Sequence, residues 1–426
     1  MNNSFAIHGD LVWNTAPDKL ESREDGWLVC LNGRVEGVFQ ELPEKYQNLE
    51  QKRYPGKLII PGLCDLHLHA PQFAFRGTGM DLELLDWLDT FTFPEEARFA
   101  DTDYALKIYT AFTEYMRKSP TTRLCVFGTV HGKADLMLAR LLDQAGLRGF
   151  VGKVSMDRNA PESLLETDPV QDLEDWIDQA QALSGHIRPV LTPRFLPSCS
   201  DSLMEAIGRF QKEYGLPLQS HLSENPNEIK WVAELCPQSS GYADAYRRSG
   251  TLGANGPCVM AHCVWLTDEE IGLLKTEGTY IAHCPQSNMD LSSGIAPVRK
   301  FMENGLRVGL GTDIGAGFSP DVFRAMADAV MVSKLRWRMT EGAEKPLTTA
   351  ESFYLGTKGG GSFFGKTGSF EKGYECDLLV IDDQSLQEIR PMQPSDRLER
   401  LIYLSPECHI LEKYVCGKAV YSADER

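Results

Sequence analysis

Histidines and acids that could act together follow short apolar runs of this chain. His67 and His69 come at the end of the run 59–66. Residues two apart in an extended strand face the same side, so both imidazoles could bind one ion. Two unrelated polar positions on a half-exposed strand would give the same spacing. The pair alone therefore leaves a metal site and an ordinary strand end equally open.

Three further histidines and one aspartate follow other apolar runs in the same way. The chain has nine histidines, and chance placement would explain one or two at run ends rather than five. Three imidazoles and a carboxylate suit zinc, with water completing the shell, although iron and manganese accept the same ligand types. The pattern predicts one metal ion per chain, with candidates His67, His69, His221, His262, His283 and Asp313.

Glu224 follows His221 by three residues, in the turn after a predicted strand. A carboxylate there could reach a metal-bound water without binding the metal. Zinc lowers the pKa of such a water to about 7, which makes hydroxide available near neutral pH. We therefore expect a hydrolase in which Glu224 shuttles protons. The His-Glu-x-x-His motif of metalloproteases and the Pro-Cys-x-x-Cys motif of another zinc deaminase class do not occur.

Eight short apolar runs, separated by helix-length spacers, must position these side chains. Such alternation predicts a (β/α)8 barrel, whose catalytic groups lie at the carboxyl ends of the strands. A doubly wound open sheet is the competing architecture. Within one spacer, Thr267 and Glu270 predict a capping box and Gly278 a helix end. The eight predicted strands are 59–66, 124–127, 149–154, 187–191, 216–219, 258–261, 279–282 and 306–310.

The residue pattern at both ends of the chain differs from that of the middle, because strand-like apolar runs there are separated by turns rather than by helix-length spacers. We expect residues 1–60 and 368–426 to pair into one small β-sandwich domain beside a barrel of residues 61–367. The predicted fold class is therefore α/β, and its two structural units are the (β/α)8 barrel and the small β-sandwich domain.

Composition narrows the class of protein. The net charge of −17 argues against nucleic acid and anionic membranes as partners. No apolar run reaches about 18 residues, and Met1–Phe5 does not begin a signal peptide. The eleven cysteines are scattered singly, as expected for free thiols in the cytoplasm.

Several motifs resemble those of one known family. The segment 61–69, Pro-Gly-Leu-Cys-Asp-Leu-His-Leu-His, is similar to the opening motif of the amidohydrolase superfamily. The segments 70–73, 192–195, 220–224 and 283–294 resemble the guanine deaminases in particular, and Gly-Thr-Asp at 311–313 closes the series. The resemblance extends from about residue 8 to 420.

This resemblance implies a site and a reaction. His67, His69, His221 and Asp313 would bind one zinc ion, Glu224 would be the acid and base, and His262 would hold the water. Asp313 would also relay a proton. The expected reaction is hydrolysis of guanine at C2 to xanthine and ammonia, in a homodimer. Gln72, Arg194 and Phe195 would line the purine pocket, and His69, His221, Glu224 and Asp313 would also contact the substrate.

Other functions stay open at this point. A related amidohydrolase acting on 8-oxoguanine, a pterin or a triazine would keep the same metal site with another pocket. A non-catalytic scaffold is disfavoured, because it would be expected to lose metal ligands. Gln286 stands where the family commonly has asparagine, and His131 and His283 have no expected role beyond structural hydrogen bonds.

Overall fold

The structure is a computed structural model, and it describes residues 3–387, 390 and 392–424. The prediction that Met1–Phe5 does not begin a signal peptide falls partly on Met1 and Asn2, which lie outside the described residues. Residues 388, 389, 391, 425 and 426 of the predicted segment 368–426 also lie outside them. The seventeen strands of the described part are β1 Phe5–Ala16, β2 Lys19–Leu31, β3 Arg34–Phe39, β4 Glu50–Pro61, β5 Leu63–His69, β6 Thr121–Phe127, β7 Arg148–Gly152, β8 Val154–Ser155, β9 Ile187–Pro189, β10 Thr192–Pro193, β11 Leu218–Leu222, β12 Cys258–His262, β13 Tyr280–His283, β14 Arg307–Leu310, β15 Leu378–Asp382, β16 His409–Val415 and β17 Lys418–Ser422.

Helices fill most of the spacers between these strands. The predicted capping box at Thr267 and Glu270 is confirmed, and the helix that it begins ends at Gly278, whose φ is 69°. The helices are α1 Leu84–Trp87, α2 Phe93–Ala97, α3 Thr102–Lys118, α4 Gly132–Gln144, α5 Pro169–Gln181, α6 Asp201–Tyr214, α7 Pro226–Leu235, α8 Tyr242–Arg248, α9 Asp268–Glu277, α10 Pro285–Asp290, α11 Val298–Glu303, α12 Val322–Met339, α13 Thr349–Tyr354, α14 Gln384–Gln387 and α15 Pro394–Leu404.

The eight predicted barrel strands are present as two parallel four-stranded sheets. One sheet has the order β5-β6-β7-β9 and the other β11-β12-β13-β14. They join where the Leu191 N–H donates to Pro217 O and Leu191 O accepts from Gln219 N–H, both at 2.9 Å. The cylinder closes between the first and last strands, where Asp313 N–H donates to His67 O at 2.8 Å. The barrel prediction is confirmed, and an open sheet is excluded.

The two ends of the chain pair in one sheet, with the strand order β17-β16-β15-β4-β1-β2-β3. The sheet curls back on itself, because the Val35 N–H of β3 donates to Tyr374 O at 2.8 Å, just before β15. Apolar side chains such as Phe5, Leu378 and Tyr414 fill the space that the curled sheet encloses. The expected β unit built from both termini is therefore present.

No helix in the described part of the chain is long and apolar enough to cross a membrane. The cysteines are all free, and ten of the eleven are buried. Such burial is typical of cysteines that act as small core residues.

Arg123 of β6 connects the barrel to the terminal sheet. Its buried guanidinium donates to both carboxylate oxygens of Asp377, at 2.6 and 3.0 Å, and to Glu375 at 2.6 Å. Asp377 is itself fully buried and also accepts from Cys416 N–H. Removing the cation would leave a buried carboxylate with its main partner missing.

We expect Arg123→Met to lower the free energy of unfolding by about 3 kcal/mol, measured by denaturant titration with circular dichroism. Arg209→Met is the matched control, because Arg209 is exposed on α6. It should change stability by less than about 0.5 kcal/mol. Equal stabilities of the two variants would show that the ion pair does not join the two units.

Candidate active site

Strand β5 presents both of its histidines to the barrel mouth. His67 and His69 are two residues apart and face the same side, as the spacing predicts, and both are almost fully buried. Their Nε2 atoms lie 3.2 and 3.4 Å from Oδ1 of Asp313, which follows β14. Residues that are 244 or more positions apart in the chain thus meet because the barrel closes at this seam.

His221 and His262 complete the group. His221 Nε2 lies 3.3 Å from His69 Nε2, and His262 Nε2 lies 3.8 Å from Asp313 Oδ2. Ring nitrogens of His67, His69 and His221 converge closely enough to bind one ion. Among the predicted candidates, His67, His69, His221, His262 and Asp313 are therefore brought together.

Hydrogen bonds behind the rings set their orientation. His221 Nδ1 lies 2.5 Å from the carbonyl oxygen of Arg194, which can only accept, so Nδ1 carries the proton and Nε2 keeps its lone pair. His262 Nδ1 lies 2.9 Å from Oδ1 of Asn288. Both rings therefore present Nε2 to the centre of the cluster.

The backbone at these strand ends is held in the left-handed region. The φ angles are 50° at Ser223, 71° at His262 and 50° at Asp313. Such conformations cost about 1 to 3 kcal/mol each for residues other than glycine and persist only where the surroundings fix them. Their coincidence at the cluster agrees with a functional site at this end of the barrel.

The donor set fits a divalent metal ion such as zinc. Within the described residues, the buried nitrogens His67 Nε2 and His262 Nε2 face carboxylate oxygens at 3.2 and 3.3 Å without forming a hydrogen bond. Burial lowers the pKa of His67, His69 and His221, which keeps these rings neutral. Burial opposes ionisation of Asp313, but the His67, His262 and His69 rings that face it together outweigh burial and hold the pKa of Asp313 well below its usual range. Neutral imidazoles and an ionised carboxylate are the forms that bind metal.

Glu224 lies next to this cluster and is almost fully buried. Its Oε2 lies 3.3 Å from His262 Nε2, and its Oε1 accepts from the Ser293 hydroxyl at 3.2 Å. Burial, followed by the charges of Asp313 and Glu228, raises the pKa of Glu224 well above its ordinary value. A carboxyl group with a raised pKa can carry a proton near neutral pH.

One pocket adjoins the cluster and contains the three residues expected to bind a purine. About 430 Å³ of its space, open solvent at the mouth included, is not filled by protein atoms, and Gln72, Arg194 and Phe195 line it together with Glu224. The predicted residues His69, His221, His262 and Asp313 line the same pocket. The rest of the wall consists of side chains that the sequence did not indicate, which are one carboxylate and five apolar groups: Glu228, Leu84, Trp87, Leu88, Leu291 and Ala316.

Glu96 is a buried carboxylate behind this pocket that the sequence analysis missed. It accepts two hydrogen bonds from Arg194, at 2.5 and 3.2 Å, and one from Gln72 Nε2 at 3.1 Å. Glu96 belongs to the short helix α2, and no periodicity or motif distinguishes it from neighbouring acids. Ser293 and Asn288, which bond Glu224 and His262, were missed because they lie in the loop and helix after β13.

Three further residues that the sequence analysis named, His131, His283 and Gln286, lie outside the pocket lining. The prediction that His283 makes structural hydrogen bonds is wrong, since neither of its ring nitrogens has a partner among the described residues. Burial, then the charge of His262, lowers the pKa of His283 to about 3. His131 follows β6 by four residues, and its Nε2 also has no partner in that part of the chain. Gln286 accepts from Ser319 N–H and donates to Asp328, so it shapes a loop.

Comparisons with known proteins agree on one family. Residues 58–420 match the amidohydrolase family. The chain is 35% identical over 415 residues to the guanine deaminase of Dictyostelium discoideum, covering 90% of this chain and 92% of that protein. It is 35% identical over 416 residues to the guanine deaminase of Escherichia coli (strain K12), covering 93% and 91%. The structure of the C. acetobutylicum guanine deaminase with bound guanine matches with a TM-score of 0.95 and 41% identity, covering 98% of this chain and all of that one. The chain therefore belongs to the amidohydrolase family and, within it, to the guanine deaminases.

Proposed function

We propose that this protein catalyses the zinc-dependent hydrolysis of guanine to xanthine and ammonia. One observation supports this above the others. A single pocket is lined by Glu224 and four members of the cluster, and also by the Gln72, Arg194 and Phe195 side chains. The relatives named as guanine deaminases, including one crystallised with guanine, support the choice of base.

Four side chains would hold the metal: His67, His69, His221 and Asp313. When bound, a zinc ion lowers the pKa of a water molecule to about 7 and so supplies hydroxide at neutral pH. Manganese or iron would suit the same ligand types.

Glu224 would move the protons of the reaction. Its carboxylate takes a proton from the attacking water and delivers it to N3 of guanine as the water oxygen bonds to C2. The second proton goes to the leaving amino group, and ammonia departs. Ser293 keeps the Glu224 side chain in place through its hydrogen bond to Oε1.

His262 and Asp313 would act beside Glu224. His262 Nε2 faces both carboxylates, so it can bind the oxygen of the water and then the oxygen at C2. Asp313 would also relay a proton, in addition to binding the metal. Both roles require the close packing of these three groups that the folded barrel provides.

The base would bind between Phe195 and the polar wall of the pocket. Phe195 offers a ring face for stacking. Arg194 and Gln72 offer N–H groups to O6 and N7 of guanine, which lie on the edge away from C2. This orientation directs the C2 amino group towards Glu224. The proposal includes a cytoplasmic homodimer, which rests on the family resemblance and the free thiols.

Removal of the metal should abolish ammonia release from guanine, and added zinc should restore it. The measurement combines metal analysis with rates on guanine, 8-oxoguanine, adenine and cytosine. We expect guanine to be used best. A normal rate in metal-free protein would refute the metal role, and preference for another base would refute the substrate assignment.

Glu224→Gln should retain the metal but lower kcat for guanine by at least about a hundredfold, because the amide cannot shuttle protons. Glu234→Gln, an exposed position on α7, serves as the matched control and should keep full activity. Metal content and circular dichroism should be unchanged in both variants. Full turnover by Glu224→Gln would contradict the assigned role.

A further inference from the structure

We propose that Glu96 is a positioning residue that makes the pocket selective for a 6-oxopurine edge. It holds Arg194 and Gln72 so that their remaining N–H groups form a wall of donors. This inference rests on the proposed function, because the wall is assigned to the base of that reaction. It goes beyond that function in naming what determines the choice of base.

The side-chain hydrogen bonds that Glu96 accepts among the described residues come from the two residues of this wall. Its carboxylate accepts from both terminal nitrogens of the Arg194 guanidinium and from Gln72 Nε2. Glu96, Arg194 and Gln72 are 1%, 3% and 2% exposed. The arginine also lies over the ring of Phe93, with its Cζ 5.2 Å from the ring centroid.

Burying such an ion pair brings little net stability, since the desolvation of both charges offsets their attraction. A chain with apolar residues of similar volume in place of the ion pair would fold equally well. The conformational order that the pair imposes is therefore a better explanation for its presence beside a ligand pocket than stability is.

The amide of Gln72 has one possible orientation. Its Oε1 accepts from Gly315 N–H at 3.1 Å, and its Nε2 donates to Glu96 at 3.1 Å. A backbone N–H can only donate, and an ionised carboxylate can only accept, so the two ends cannot be exchanged. The oxygen of Gln72 already has a donor, and one N–H remains for a ligand.

Counting donors shows what the wall offers. A guanidinium has five N–H groups and an amide nitrogen has two. Glu96 accepts two from Arg194 and one from Gln72, which leaves four donors on the pocket side chains. Two adjacent acceptors on a ligand would pair with them. A 6-oxopurine presents O6 and N7 in this way, whereas adenine presents an amino group beside N7.

The test compares two bases that lack the C2 amino group and so cannot be deaminated there. Hypoxanthine carries the oxygen at position 6, and purine carries only hydrogen there. Their inhibition constants against guanine turnover, with kcat and KM for guanine, are measured for the wild type and Glu96→Gln. Calorimetry of hypoxanthine binding gives an affinity that does not depend on turnover.

Glu96→Gln replaces an acceptor by a donor that faces either Arg194 or Gln72. We expect the KM for guanine and the inhibition constant of hypoxanthine to rise about tenfold or more. The inhibition constant of purine should rise several times less than that of hypoxanthine, because purine presents N7 to the wall but has no oxygen beside it. Glu96→Asp keeps the charge on a shorter side chain and should lie between the two.

Glu95→Gln is the matched control, since Glu95 is on the same short helix but contacts Arg98 and Tyr104 instead. It should leave all constants unchanged. Parallel weakening of hypoxanthine and purine would reduce Glu96 to a structural role, and unchanged hypoxanthine binding would refute the proposal. If the wild type released no ammonia from guanine, the proposed function would fail, while the calorimetry would still test the donor wall.

Discussion

The closure of the barrel between β5 and β14 is the constraint on which the site depends. Asp65 lies fully buried at this seam, and its carboxylate accepts from Thr312 N–H and the Thr312 hydroxyl at 3.0 and 2.5 Å. Burial, partly offset by these hydrogen bonds, raises the pKa of Asp65 to about 6. The seam sets the register of the two strands, and that register brings His67 and His69 next to Asp313. An open sheet would separate the first and last strands and leave these groups apart.

Electrostatics then follow from the packing. The neutral rings of His67, His69 and His221 and the ionised Asp313 form a compact set of donor atoms suited to a cation. Glu224 experiences the opposite balance, because burial and the neighbouring carboxylates disfavour its charge. One barrel mouth thus holds two carboxyl groups with pKa values moved in opposite directions, which suits the roles proposed for Asp313 in metal binding and for Glu224 in proton transfer.

The sequence was sufficient for the parts of the site that follow from strand periodicity. His67, His69, His221, His262 and Asp313 could be recognised because parallel strands of a closed barrel end at the same face. Gln72, Arg194 and Phe195 required the family resemblance, since they lie beyond strand ends where periodicity is silent. Glu96, Ser293 and Asn288 act only through contacts made by the folded chain. His283 shows the limit of the pattern, because it ends β13 like the others but belongs neither to the converging groups nor to the pocket lining.

Arg194 joins the two halves of the site. Its carbonyl oxygen holds Nδ1 of His221, while its guanidinium is fixed by Glu96 at the pocket wall. Arg194 therefore sets the distance between the cluster of histidines with Asp313 and the pocket wall that would recognise the base. A displacement of the guanidinium can be absorbed by side-chain torsions, whereas a displacement of the backbone would turn the His221 ring. Glu96 fixes the guanidinium and the backbone carbonyl orients His221, so in the proposed reaction recognition of the base and alignment of the reacting groups would depend on the same short segment after β10.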